Sequence, residues 1–116
     1  MSNILERSRP AVSVLDFSAM EIETFLKQKL RQHTIEAAYI FGSFAKNTAS
    51  DWSDIDLIIV MQTSESFLER GRQFEELYEL GLPIDILVYT PGEFEKLKKS
   101  NTGFWNSFLE SHLRII

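Results

Sequence analysis

A small α/β or compact α+β domain, built as a mixed sheet with flanking helices, is predicted by three features of the sequence. Helical and strand-like patterns alternate along its whole length. The strand-like runs are short, β-branched or aromatic and end at turn residues, while the helical runs carry Ser, Pro or Gly where caps belong. At 116 residues the chain can bury one core and leaves no length for a second lobe.

Residues 1–15, with Arg7, Arg9 and Pro10 but no clear periodicity, read as a loose N-terminal arm or short edge element, and residues 16–116 as a single domain. Ser18 and Glu21 have capping-box spacing ahead of Ile22, Phe25, Leu26 and Leu30, which predicts an amphipathic helix. Residues 35–41 end at Gly42 and read as a buried strand entering a tight turn. A short helix begins near Ser43, and residues 51–53 form a loop. Residues 54–61 are continuously apolar after their first acids, the pattern of a central strand. Phe67, Phe74, Leu77 and Tyr78 fall near one helical stripe, with Gly81 just past its end and Pro83 blocking continuation. Residues 84–89 form a third strand. A helix with Pro91 in its first turn follows, and a terminal helix over residues 103–116 closes the chain. In that last element Phe104, Trp105, Phe108, Leu109, Leu113, Ile115 and Ile116 read as core packing or, alternatively, as a partner-binding face.

Composition narrows the function classes. Twelve Lys and Arg against 17 Asp and Glu give a net charge of −5, which argues against a broad nucleic-acid surface. Without cysteine there are no disulfides, thiolate metal sites, iron–sulfur clusters or cysteine nucleophile. No apolar run reaches the roughly 18 residues of a membrane span and the first residues lack a secretory core, so a cytoplasmic protein with no membrane association is expected. His33 and His112 share no ligand spacing, and Ser107 and Ser111 have no base-and-acid pattern for hydrolysis. Lys96, Lys98, Lys99, Arg70 and Arg72 read as solvated charges.

The chemistry concentrates between the first two strands. Residues two apart on a strand face the same way, so Asp54 and Asp56 share a face about 6.5–7 Å apart along the backbone, opposite Ile55, Leu57 and Ile59. Asp85, near the head of the next strand, completes a three-acid cluster if that strand lies alongside. Three carboxylates without His or Cys are hard oxygen ligands suited to Mg²⁺ or Mn²⁺, which commonly share their shell with substrate phosphates. Two such ions would be bridged by Asp56, with Asp54 on the nucleotide side and Asp85 on the catalytic side. Gly42 permits a tight turn and close approach of a phosphate to the backbone, Ser43 adds a hydroxyl donor, and Lys46 offers either a charge for phosphate or a surface lysine. Trp52 and Phe44 read as nucleobase stackers or as packing and interface residues.

Gly42-Ser43, ten intervening residues, then Asp54-Ile55-Asp56, with Asp85 as third acid, resembles the signature of the DNA polymerase beta-type nucleotidyltransferase superfamily. The small size is similar to its minimal nucleotidyltransferase group. The resemblance implies a nucleotidyltransferase fold and metal-dependent transfer of a nucleoside monophosphate from a triphosphate to a hydroxyl. It further implies a helical toxin partner encoded nearby, with this chain as the antitoxin, and AMP from ATP as the transferred group. Minimal members often read Gly-Ser-Arg-Ala-Arg-Gly where this chain has Gly42-Ser43-Phe44-Ala45-Lys46-Asn47, so the turn has lost positive charge and a glycine.

Three functions therefore stand beside one another. The first is an Mg²⁺-dependent nucleotidyltransferase moving AMP onto a protein hydroxyl as an antitoxin. The second is a catalytically weak binding module that restrains its partner by complex formation. The third is a small-molecule nucleotidyltransferase that works as a homo-oligomer.

Overall fold

The computed structural model describes residues 9–116, so the first eight residues of the expected arm lie outside the described residues. The element order is a 3₁₀ turn (Val14–Asp16), α1 (Ala19–Leu30), β1 (Ala37–Phe41), α2 (Gly42–Ala45), β2 (Ile55–Val60), a long 3₁₀ segment (Phe67–Leu80), β3 (Ile84–Tyr89), α3 (Pro91–Lys99), α4 (Gly103–Glu110) and β4 (His112–Arg114). The four strands form one mixed sheet in the order β3-β2-β1-β4. β1 runs antiparallel to both β2 and β4, whereas β2 and β3 are parallel and need the 3₁₀ segment as their crossover.

Period-two alternation divides the sheet between two cores. Ala38, Ile40, Ile55, Leu57, Ile59, Ile84 and Val88 face one way and pack under α1 and the 3₁₀ segment, through Ile22, Leu26, Leu30, Phe74 and Leu77. Ala37, Ile58 and Val60 face the other way and pack under α3 and α4, through Phe94, Trp105 and Phe108. The first core is almost wholly aliphatic. The second is a lattice of rings, with Trp105 stacked on Phe108 at 4.9 Å and Phe94 edge-on to Trp105 at 5.8 Å.

Local chemistry explains the ends. Ser18 and Glu21 do form a capping box at the start of α1, and Thr90 and Glu93 form another at α3 with Pro91 in its first turn. Gly81, at φ +78°, closes the 3₁₀ segment in the left-handed region.

Four expectations need correction. The described part of the arm is docked: Val14 joins the aliphatic core, and the Ser13 hydroxyl donates to Asp51 Oδ1 at 2.8 Å. The segment Phe67–Leu80 is not a continuous α-helix but 3₁₀ turns broken at Phe74, and its buried stripe is Arg70, Phe74 and Leu77. Phe67 instead packs beside Tyr89 at 5.5 Å, and the Tyr78 hydroxyl reaches a strand carbonyl. Arg70 is not a solvated charge: it is buried, paired with Glu93 at 2.6 Å, and donates to the Val88 carbonyl at 3.0 Å. The terminal helix stops at Glu110, and the tail that follows covers the edge of β1. The chain turns at an extended Ser111, β4 pairs with β1, and Ile115 N–H donates to the Ala38 carbonyl at 2.8 Å. Trp105, Phe108 and Ile115 are thereby core residues, while Phe104, Leu109 and Leu113 stay partly exposed.

Candidate active site

Asp56 is the second residue of β2 and Asp85 the second residue of β3, and the parallel register sets them directly side by side. By strand alternation both leave the face of the sheet that α3 and α4 cover further along. Asp54 lies just before β2, exposed at the end of the loop rather than inside the strand. On the other side of β2, Asp56 pairs with Phe41, the last residue of β1, and the next residue is Gly42. Gly42 has φ +76°, and a Cβ built there would lie 2.2 Å from Asp56 Oδ2. Only glycine satisfies both demands at once.

Asp56 is half-buried, while Asp54 and Asp85 are exposed. Burial pushes the Asp56 carboxyl above its ordinary value, and the charges of Asp85 and then Asp54 push it further. The three acids therefore share one electrostatic field. Among the described residues no ion pair uses any of them: the pairs run Arg9 to Asp16 and Asp51, Lys29–Glu79, His33–Glu76, Arg70–Glu93, Arg72–Glu69 and Lys98–Glu95. An oxygen-only donor set crowded by like charge, with no cation paired to it among the described residues, fits a hard divalent ion. As folded, no three His, Cys, Asp or Glu side chains among the described residues stand close enough together to hold a metal ion.

Gly42 and Ser43 begin α2, a single turn. The Lys46 N–H donates to the Gly42 carbonyl at 3.0 Å and the Thr48 N–H to the Ser43 carbonyl at 2.9 Å, which folds the turn back on itself. Asn47 sits at φ +60°, a left-handed conformation that Asn tolerates better than most residues. Phe44 is partly buried and packs against the aliphatic core. Trp52 stays 61% exposed, and Lys46 is exposed with no contact among the described residues that draws it to the acids. Gly42, Asp56 and Asp85 are thus brought together, with Ser43 one residue from Gly42 and Asp54 within electrostatic reach of Asp56, and Lys46 stands apart.

The family profile described as polymerase beta, nucleotidyltransferase matches residues 21–103, which contain the whole cluster. The chain belongs to this nucleotidyltransferase family. It is 37% identical over 70 residues to the candidate protein adenylyltransferase MJ0435 of Methanocaldococcus jannaschii, covering 60% of this chain and 75% of that one. It is also 37% identical over 68 residues to the candidate protein adenylyltransferase MntA of Haemophilus influenzae, spanning 57% of each. Its fold matches, at TM-score 0.56 and 16% identity, a chain in the solved complex of a tri-AMPylated HEPN toxin from Shewanella oneidensis with an MNT antitoxin, covering 85% of this chain and 72% of that one. The nucleotidyltransferase fold is therefore shared, and the sequence is related to that of protein adenylyltransferases.

Sequence reasoning missed Tyr78 and Arg70, whose side chains reach the carbonyls of Ile84 and Val88 on β3. Nothing local marks them. Tyr78 looks like one more residue of an apolar stripe, and its partner carbonyl carries no signal in any sequence.

Proposed function

We propose that this chain transfers AMP from ATP to a hydroxyl of a partner protein and acts as the antitoxin of a toxin–antitoxin pair. The observation that carries the reading is Asp85 in register beside Asp56, with the bare backbone of Gly42 against the Asp56 carboxylate. Kinship with protein adenylyltransferases supports the transferred group and the protein acceptor. The fold shared with a complex holding an AMPylated toxin supports the kind of partner.

Asp54, Asp56 and Asp85 would hold Mg²⁺ or Mn²⁺, which when bound neutralises phosphate charge and lowers the acceptor's pKa. The chain's own residues do the rest. Asp56, whose carboxyl is held above its ordinary value by burial and then by the charges of Asp85 and Asp54, is the acid that a bound cation would stabilise most. Gly42 lets a phosphate oxygen approach the turn where a side chain would block it, and Ser43 donates a hydroxyl. The acceptor oxygen attacks the α-phosphorus, the bond to the β-phosphate oxygen breaks, and pyrophosphate leaves. The acceptor proton passes to Asp85, the acid that stands exposed at the sheet edge.

Incubation with Mg²⁺, α-labelled ATP and the product of the neighbouring gene tests this directly. Label should appear on the partner, and Asp56→Asn should lower transfer by at least about 100-fold while the fold persists. No label under conditions where the complex forms would refute the enzymatic reading. A double Asp54→Asn, Asp56→Asn variant that still restrains the partner would leave binding alone as the function.

A further inference from the structure

Among the described residues the strand that carries Asp85 is a sheet edge, paired with β2 on one side only. On that side Ile55 N–H donates to the Pro83 carbonyl and Met61 N–H to the Tyr89 carbonyl, each at 3.0 Å. Strand alternation then turns the carbonyls of Ile84, Ile86 and Val88 outward. The 3₁₀ segment takes two of them. The Tyr78 hydroxyl donates to the Ile84 carbonyl at 3.0 Å, and Arg70 Nη1 donates to the Val88 carbonyl at 3.0 Å. Both contacts shield an open edge, but they act at opposite ends of β3. Val88 lies away from the acids, whereas Ile84 is bonded to Asp85.

The Ile84 carbonyl and the Asp85 amide belong to one planar peptide unit, so a group that fixes the first orients the second. That plane sets the direction in which the Asp85 side chain leaves the backbone. Tyr78 is itself anchored, because its carbonyl accepts the Gly81 N–H at 2.9 Å in the turn that returns the chain to β3. Its ring is not there to fill the core. Tyr78 is 46% exposed and lines an open cleft of about 590 Å³ together with Gly71, Arg72, Ile86 and Asp85 itself.

We propose that Tyr78 is a positioning residue that holds Asp85 beside Asp56 through the Ile84 carbonyl. This rests on the reading of the three acids as a divalent-cation site. Mn²⁺ alone is the probe, and its binding is read by electron paramagnetic resonance together with thermal unfolding. Tyr78→Phe keeps the ring and removes the hydroxyl, and Mn²⁺ should bind about fivefold more weakly, the worth of one lost hydrogen bond. Glu93→Gln is the control. It weakens the Arg70 clamp at the far end of β3, and should lower the unfolding temperature more than Tyr78→Phe while leaving Mn²⁺ affinity unchanged. Equal affinity in wild type and Tyr78→Phe would overturn the proposal, as would losses of affinity that track unfolding temperature in both variants. Wild-type protein that binds no Mn²⁺ would overturn the metal reading first, and the role of Tyr78 with it.

Discussion

The two faces of the sheet use the same strands for opposite ends. Along β2, Ile55, Leu57 and Ile59 are wholly buried from the first residue to the last, under α1 and the 3₁₀ segment. The other parity runs Asp56, Ile58, Val60, and only the latter two lie under the rings of α3 and α4. β3 repeats the pattern, with Asp85 followed on its face by Leu87 and Tyr89. One face is covered end to end, and the other is left bare at the mouth. A small domain can hold Asp56 and Asp85 side by side because the opposite face of the same backbone is fully packed.

Where the two meet, the tolerance for change is smallest. Gly42→Ala should have the largest effect, since the methyl collides with Asp56 Oδ2 and the backbone sits at φ +76°. Left-handed strain costs about 1–2 kcal/mol and overpacking a further ~1–3 kcal/mol. Chemical denaturation should record that loss, and the proposed AMP transfer should fall with it because the carboxylate that moves aside is the central one. Leu57→Ala, on the covered face between the acids' neighbours, should cost about 3 kcal/mol in the same measurement. Its ATP-dependent transfer should remain near wild type at temperatures where the protein is folded. If Leu57→Ala instead abolished transfer in the folded protein, the division of labour between the faces would be wrong.

How much of this was legible in the sequence follows the range of the interactions. The parity of Ile55, Leu57 and Ile59 against Asp56 is a property of adjacent residues, and it placed both the central strand and the side on which the acid projects. Asp85 at the head of the next strand needed one assumption, that the strands are neighbours, and the register supplies it. β4 was misread because Phe104, Trp105 and Phe108 set a helical rhythm that residues 112–114 do not break. What converts them to a strand is the vacant edge of β1, some seventy residues back along the chain. Arg70 was misread for the same reason, since a lone arginine is a surface residue until a distant carbonyl and Glu93 surround it.

The smallest effect is the one that separates the faces by sign. Glu93, at the head of α3, is held down to about 2 by the Arg70 hydrogen bond and the Thr90 amide. Its folded value lies below the ordinary 4.5, so the stability it contributes is present above that value and is lost as pH falls through about 2. Asp56 runs the other way. Its folded value is raised above the ordinary 3.8, so its contribution is present below 3.8 and is lost as pH rises through the raised value. Asp56→Asn, which removes the charge that burial and the neighbouring acids disfavour, should therefore raise the unfolding temperature at neutral pH, a modest gain because the site is half open to screening water and salt. The gain should vanish at pH 3, where the native carboxyl is itself protonated, and Mg²⁺ should narrow it at pH 7 by supplying the missing positive charge. A lower unfolding temperature for Asp56→Asn at pH 7 would mean that the carboxylate is held in place by favourable contacts, and that the bare mouth of the sheet is not a site kept under charge repulsion for a cation to relieve.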